Sequence, residues 1–398
     1  MDALLWLLLP VAAASGWVTA RRTQTSIPPQ KELPHQFSQQ CIQGLNYLLS
    51  EQSDKAIQLF VELVDVDEDT VETHLVLGSL FRRRGEVDKA IRVHQNVVAR
   101  SNLSVEQKNS AFLQLGIDYL KAGVLDRAEN IFLQLIEDKY ESPEVFRYLR
   151  TLYEKEREWA DAISMAEQLE KAGGQSQKVR IAHYHCEMVE KHVREQRDDE
   201  ARESIQKAIN TDPNCVRAFI QSGDLLTSLG QRKEAMQSYR AALEKEGYFS
   251  PLVMKHLYDL FAADGDLQYF PDFVHKYVNY QHDASVRFFL IKTYEGLGDK
   301  AKVRQMLHDE LKRDEASPYI VRAYLEMMRD NTQGEIRESF EVLERLLETR
   351  LSTHMACHCT QCGFESNVIF WRCPSCQNWG TVRPYQNPVE YTWLEKNE

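Results

Sequence analysis

Four cysteines near the C-terminus carry the most specific chemistry in this chain. Cys359 and Cys362 form one C-x2-C pair and Cys373 and Cys376 a second, with ten residues between them. Two intervening residues let both thiolates of a turn point at one ion, and two such turns complete a tetrahedron of sulfur. Gly363, directly after the first pair, permits the backbone turn that brings amides toward the sulfurs. Four thiolates leave no open coordination position, so the expected ion is structural rather than catalytic. Cys357 and His358 break the spacing and read as bystanders.

Zinc is the first expectation for this site and iron the second. Rubredoxin holds redox iron in the same C-P-x-C knuckle, but between more widely spaced pairs. The ten-residue gap is that of a short zinc ribbon. A ribbon of about thirty residues cannot hold a useful core alone. It nevertheless carries Phe364, Ile369, Phe370, Trp371 and Trp379. Part of that aromatic face is therefore expected to pack on the last elements of the preceding domain or on a partner protein. The other cysteines, Cys41, Cys186 and Cys215, are scattered and read as small apolar residues. A tight terminal cluster in a long chain points to a metal in a reducing compartment, not to a secreted disulfide scaffold.

The body that must position this ribbon repeats itself. Gly44–Tyr47–Ala56–Phe60, Gly78–Phe81–Ala90–His94 and Gly116–Tyr119–Ala128–Phe132 share one spacing, and the first two are offset by 34 residues. Tyr153–Ala162–Ala166 continues the register without its glycine, Ala201–Ile205–Ala208–Pro213 follows, and Gly223–Leu226–Ala235–Tyr239–Ala242 restores it. This is the tetratricopeptide pattern, two helices per repeat. Gly and Ala sit where helices cross closely, Tyr and Phe fill the space between repeats, and Pro213 closes a second helix. Residues 250–283, 284–317 and 318–351 read as three degenerate pairs. The expected fold is thus all-α, a tetratricopeptide superhelix whose first helices line a partner-binding groove. Arg82, Arg83 and Arg84 read first as cations at a solvated helix end, with recognition of an acidic partner as the alternative, and His94 reads as a packed core residue.

The first segment reads as a membrane anchor. Residues 3–20 contain no charge and as a helix would span about 27 Å, against about 30 Å for the hydrocarbon core. Trp17 beside Arg21 and Arg22 has the character of an interfacial anchor. A cleaved signal peptide is the competing reading, but Met1 and Asp2 before the apolar core include no cation. The positive charge follows the span, which puts the remainder in the cytoplasm. The expected plan is anchor 1–22, linker 23–36, repeats 37–351, metal ribbon 352–385 and tail 386–398.

Composition limits the function. Of 398 residues, 43% are apolar and 27% charged, so the chain is globular rather than disordered, and its net charge of −12 argues against duplex nucleic acid. The ribbon segment balances Arg350, Arg372, Arg383 and Lys396 against Glu365, Glu390, Glu395 and Glu398, which gives no nucleic-acid footprint. Phosphate-binding loops, dinucleotide glycine fingerprints, H-E-x-x-H and nucleophile elbows are not found, and the chain reads as a non-enzyme. His183, His185, Cys186 and His192 lack the paired spacing of a second metal site. A homo-oligomer is compatible with such an array.

Anchor, array and ribbon in this order resemble the lipopolysaccharide assembly protein B family of Gram-negative bacteria along essentially the whole chain. The resemblance rests on Leu8-Leu9-Pro10-Val11-Ala12-Ala13-Ala14 with Gly16-Trp17 and Arg21-Arg22, and on residues 85–92 with His94-Gln95. It also rests on Ile181-Ala182-His183 with Cys186-Glu187, on Cys359 and Cys362 with Gly363-Phe364, and on Trp371, Cys373-Pro374-Ser375-Cys376, Trp379 and Pro384. The longer tail and Cys357 depart from it. The resemblance implies an inner-membrane adaptor facing the cytoplasm that sets the level of lipopolysaccharide synthesis. It implies action with a membrane AAA-type zinc protease on the deacetylase that commits UDP-acyl-glucosamine to lipid A, and contact with lipopolysaccharide assembly and transport proteins. The alternatives are a membrane-tethered scaffold without a proteolytic role and a redox protein with iron in the ribbon.

Overall fold

The computed structural model describes residues 43, 44, 47, 53–66, 71–140, 142–245, 247–278, 284–313, 318–351 and 355–385. The expected anchor, linker and tail, and Cys41, lie outside them. Among the described residues, no helix is long and apolar enough to cross a membrane. The chain divides into two compact units, Met1–Glu141 and Ser142–Glu398.

The first unit contains α1 (Ser53–Val66), α2 (Val71–Arg83), α3 (Val87–Val98), α4 (Val105–Ala122) and α5 (Leu125–Glu137). Helix α4 starts where Ser104 and Gln107 cap each other's backbone N–H groups, and it stops at Gly123 in the left-handed conformation. Ala56, Ala90 and Ala128 are fully buried where paired helices cross. The glycine of each repeat lies under the large side chain sixteen residues later: a Cβ on Gly44 would stand 2.8 Å from Phe60, and one on Gly116 2.6 Å from Phe132. In the second repeat that large residue is His94, which is fully buried and hydrogen-bonded to Asp118, itself fully buried. Arg82 donates to Asp118 at 2.7 Å and to Gln114 at 2.6 Å. Arg82 is therefore not the solvated cation expected from its run. It turns inward to balance a buried carboxylate, whereas Arg83 and Arg84 are exposed.

The second unit continues with α6 (Pro143–Glu156), α7 (Trp159–Lys171), α8 (Lys178–Arg194), α9 (Asp198–Thr211), α10 (Val216–Ser228) and α11 (Arg232–Leu243). Helix α9 ends two residues before Pro213. The repeat without its glycine exchanges sizes: Arg150 occupies the glycine position and Ala166 the large one, and both are buried. Cys186 and Cys215 pack with Ala182, Ala208 and Ala218, their sulfurs 3.8 Å apart. The three degenerate spans each hold a helical pair: α12 (Ser250–Ala263) with α13 (Phe270–Tyr277), α14 (Ala284–Gly296) with α15 (Lys300–Leu311), and α16 (Pro318–Asp330) with α17 (Glu335–Leu351). Phe261, Phe270, Phe273, Phe288 and Phe289 replace the glycine–aromatic signature in the first two of these. The ribbon closes the unit with β1 (Cys357–Cys359), β2 (Glu365–Ser366) and β3 (Val382–Pro384), antiparallel in the order β2-β1-β3.

The glycine–aromatic crossings are rigid. Replacing Gly116 by Ala should cost about 1–3 kcal/mol, because fully buried Phe132 has nowhere to move. Gly247→Ala, where a Cβ meets nothing within 4 Å, should change stability by less than about 0.5 kcal/mol. Urea denaturation midpoints of the two variants check this.

Candidate metal centre

Each cysteine pair stands on the same backbone turn. In the first, Gly363 N–H donates to Cys359 O at 3.0 Å and Cys359 N–H to Phe364 O at 2.7 Å. In the second, Gln377 N–H donates to Cys373 O and Cys373 N–H to Asn378 O, both at 2.9 Å. Gly363 and Gln377 both adopt left-handed φ, +73° and +60°. Glycine was the expected residue for this turn. Gln377 takes the conformation without one, and its amide donates to Pro374 O at 2.6 Å.

The turns bring all four sulfurs within 4.8 Å of one another. Cys359 and Cys376 are 3.8 Å apart, and Cys362 and Cys373 3.7 Å. A tetrahedral ion with metal–sulfur bonds of about 2.3 Å requires sulfur–sulfur edges of about 3.8 Å, so the donor set fits. Burial opposes ionisation of Cys359, but Thr381 Oγ1 and the amides of Gln361 and Cys362 outweigh it and bring that thiol down to about 6. Burial pushes Cys373 up to about 12. Four thiolates at one point therefore need a cation between them. Cys357 is buried in the apolar core, which pushes its thiol up to about 12, and His358 stacks on Tyr385. Neither joins the cluster.

The ribbon is seated on the fourth to seventh helical pairs, not on the last ones as its aromatic face suggested. Trp379 is buried among Trp159, Tyr184 and His183, with ring centroids 5.5–6.1 Å apart. Trp371 lies between His183 and Phe249, with Arg217 over its ring. Phe370 remains partly exposed. Below the tryptophans, Glu154 is buried with four partners: it accepts from Tyr184 OH and from Arg372 Nη2 at 2.9 Å, and faces Arg180 at 3.5 Å and Arg150 at 3.9 Å. Arg180 also donates to Asn378 Oδ1 at 2.5 Å. Burial lowers the affinity of Arg150 for its proton and, with Glu154, keeps the Tyr184 phenol un-ionised.

Sequence reading missed Glu154, Arg180 and Arg372, because ion pairs spanning up to 218 residues leave no local pattern. His183, singled out as a weak ligand candidate, instead fills the space between two tryptophans. Desolvation, helped by Arg217, drives its imidazole down to about 3.

Glu154→Gln should release the ribbon, because it leaves buried cations uncompensated, a loss of about 3–5 kcal/mol. The expected readout is faster hydrogen exchange in β1–β3 with no change in α2–α5. His183 makes the seat acid-sensitive. Docked His183 refuses the proton that a released imidazole accepts near pH 6.5, so docking is at full strength above that pH and weakens as pH falls toward 3. The stability of the native chain relative to His183→Phe should fall by up to about 1.4 kcal/mol per pH unit below pH 6. A pH series of denaturation midpoints measures it.

Known proteins share these parts. Residues 358–384 match the rubredoxin metal binding domain model, and residues 73–106 and 216–244 match tetratricopeptide repeat models. Lipopolysaccharide assembly protein B of Escherichia coli strain K12 is 32% identical over 381 residues, covering 96% of this chain and 97% of that one. The Haemophilus influenzae protein of the same name is 30% identical over 395 residues, 97% of this chain and 99% of that one. With both relatives at least 30% identical over at least 96% of its length, the chain belongs to the lipopolysaccharide assembly protein B family.

Proposed function

We propose that this chain is a non-catalytic adaptor in lipopolysaccharide assembly, held at the inner membrane by residues 1–22. The observation that carries this reading is kinship along the whole chain with relatives named for lipopolysaccharide assembly. Two physical features support it. The repeats and the seated ribbon offer recognition surfaces, and the one cluster of four metal-ligating residues among those described would leave an ion, zinc by preference, no open position for chemistry. An anchor would confine bound proteins to the membrane surface and so raise their effective concentration toward one another. The finer reading is that the array presents the lipid A pathway deacetylase to a membrane AAA-type protease, with the ribbon as a second docking surface.

The test is the half-life of that deacetylase in cells with the native chain, without it, without residues 1–20, and with Cys359 and Cys362 changed to Ser. The half-life should lengthen several-fold in all three altered cases. An unchanged half-life in every case would replace the adaptor with a scaffold that has no proteolytic role. Lengthening only on complete loss would place the work in the repeats alone.

A further inference from the structure

Where the ribbon meets α8, α10 and α12, a cleft of about 290 Å³ stays open beside the seat. Its apolar walls are Ile220 and Leu252 from the repeats and Ile369 and Trp371 from the ribbon. That volume equals about ten waters, too little for a helix some 10 Å across and enough for the side chains of a short extended segment.

The polar lining has a sign. Arg217 Nη2 is shared by Glu187 at 2.8 Å and Glu190 at 2.5 Å. Asp224 accepts from Tyr239 OH at 2.5 Å and lies 3.0 Å from His256 Nδ1. The lining thus sets two carboxylates, Glu190 and Asp224, against one imidazole and one guanidinium, and that guanidinium is also paired by Glu187 outside the cleft. The Glu190 and Asp224 side chains are 50% and 44% exposed, so their charge is presented to an incoming group. Two lining side chains also carry buried atoms without hydrogen-bond partners among the described residues: Arg217, at Nε and Nη1, and Gln221, at Oε1. Those atoms are closed off from solvent, so what the cleft presents to an occupant is its apolar walls and the two half-exposed carboxylates, the complement of a side chain with an apolar stem and a cationic end.

We propose that this cleft binds an extended segment of a partner protein. A lysine or arginine of the segment lies between Glu190 and Asp224, its stem along Trp371, and the next aliphatic side chain packs on Leu252 and Ile369. Because two walls belong to the ribbon, the cleft exists only while the ribbon is seated. Metal binding, ribbon seating and segment binding are therefore linked, each strengthening the others. This assignment rests on the cleft and not on the proposed role in lipopolysaccharide assembly.

The test uses the full metal-loaded chain in mild detergent, titrated with fluorescently labelled acetyl-Gly-Lys-Leu-Gly-amide and its glutamine and glutamate counterparts. The lysine peptide should bind saturably and about tenfold more tightly than the glutamine peptide, the equivalent of about 1.4 kcal/mol, with the glutamate peptide weakest. Glu190→Gln should remove most of that preference, since Glu187 still pairs Arg217 and the fold is kept. Leu252→Trp should fill the cleft and abolish binding. Equal affinity for the lysine and glutamine peptides, no saturable binding, or a preference that survives Glu190→Gln would overturn the proposal. So would n-butylammonium binding as tightly as the lysine peptide, which would assign the cleft to small cations. Affinity unchanged after chelation has freed the ribbon would overturn its placement at the seam.

Discussion

The carboxylate of Glu154 is buried, and burial leaves it no water with which to share its charge. Arg150, Arg180, Arg372 and the Tyr184 phenol take that role instead. Three of these partners come from two neighbouring repeats and one from the ribbon. An isolated buried ion pair is weak evidence of stability, but a shared one makes each member costly to remove. That cost holds a ribbon of about thirty residues on helices some two hundred residues earlier in the chain. Around it at the seam lie Trp371, His183 and Trp379, Arg217 over the Trp371 ring, and the open cleft beside them.

The ribbon has two sources of stability, and neither suffices alone. Its strands are two or three residues long and cannot form an independent core. The sulfur cluster would close its loops around one ion, and the seat covers its tryptophans. A bound ion would order Cys373 and Cys376, which lie between Trp371 and Trp379, and so would also fix the spacing of the two rings that dock. A structural metal in such a domain acts at a distance, by shaping an apolar surface.

Within the array, packing rather than charge sets the geometry. Glycine under an aromatic side chain recurs in four pairs. In the pair formed by α6 and α7, which lacks that glycine, the sizes are exchanged and the large residue becomes Arg150. That exchange places a guanidinium where other repeats keep an apolar contact, beside the carboxylate that receives the ribbon. The departure from the repeat pattern therefore coincides with the place where the array does something other than stack. The buried His94 and Asp118 with the half-buried Arg82 are the counterpart in the first unit, where polar groups satisfy one another without a ribbon.

The sequence by itself determined the parts whose cause is local. Two C-x2-C pairs imply a sulfur tetrahedron because each turn closes within six residues. The 34-residue period implies paired helices because Gly and Ala at fixed offsets admit only close crossings. Helical period alone was enough for the degenerate pairs, the first two of which have aromatic cores instead. The tertiary structure decided what depends on residues far apart in the chain. Arg82 at the end of a basic run looks solvated until Asp118 is placed beside it. The ribbon's aromatic face looked ready for the last repeats, yet it found the middle ones, because only there do Glu154, Arg180, His183 and Arg217 line up with Arg372, Asn378 and the two tryptophans. Side-chain type states what a residue can bind, and chain topology alone decides what it meets.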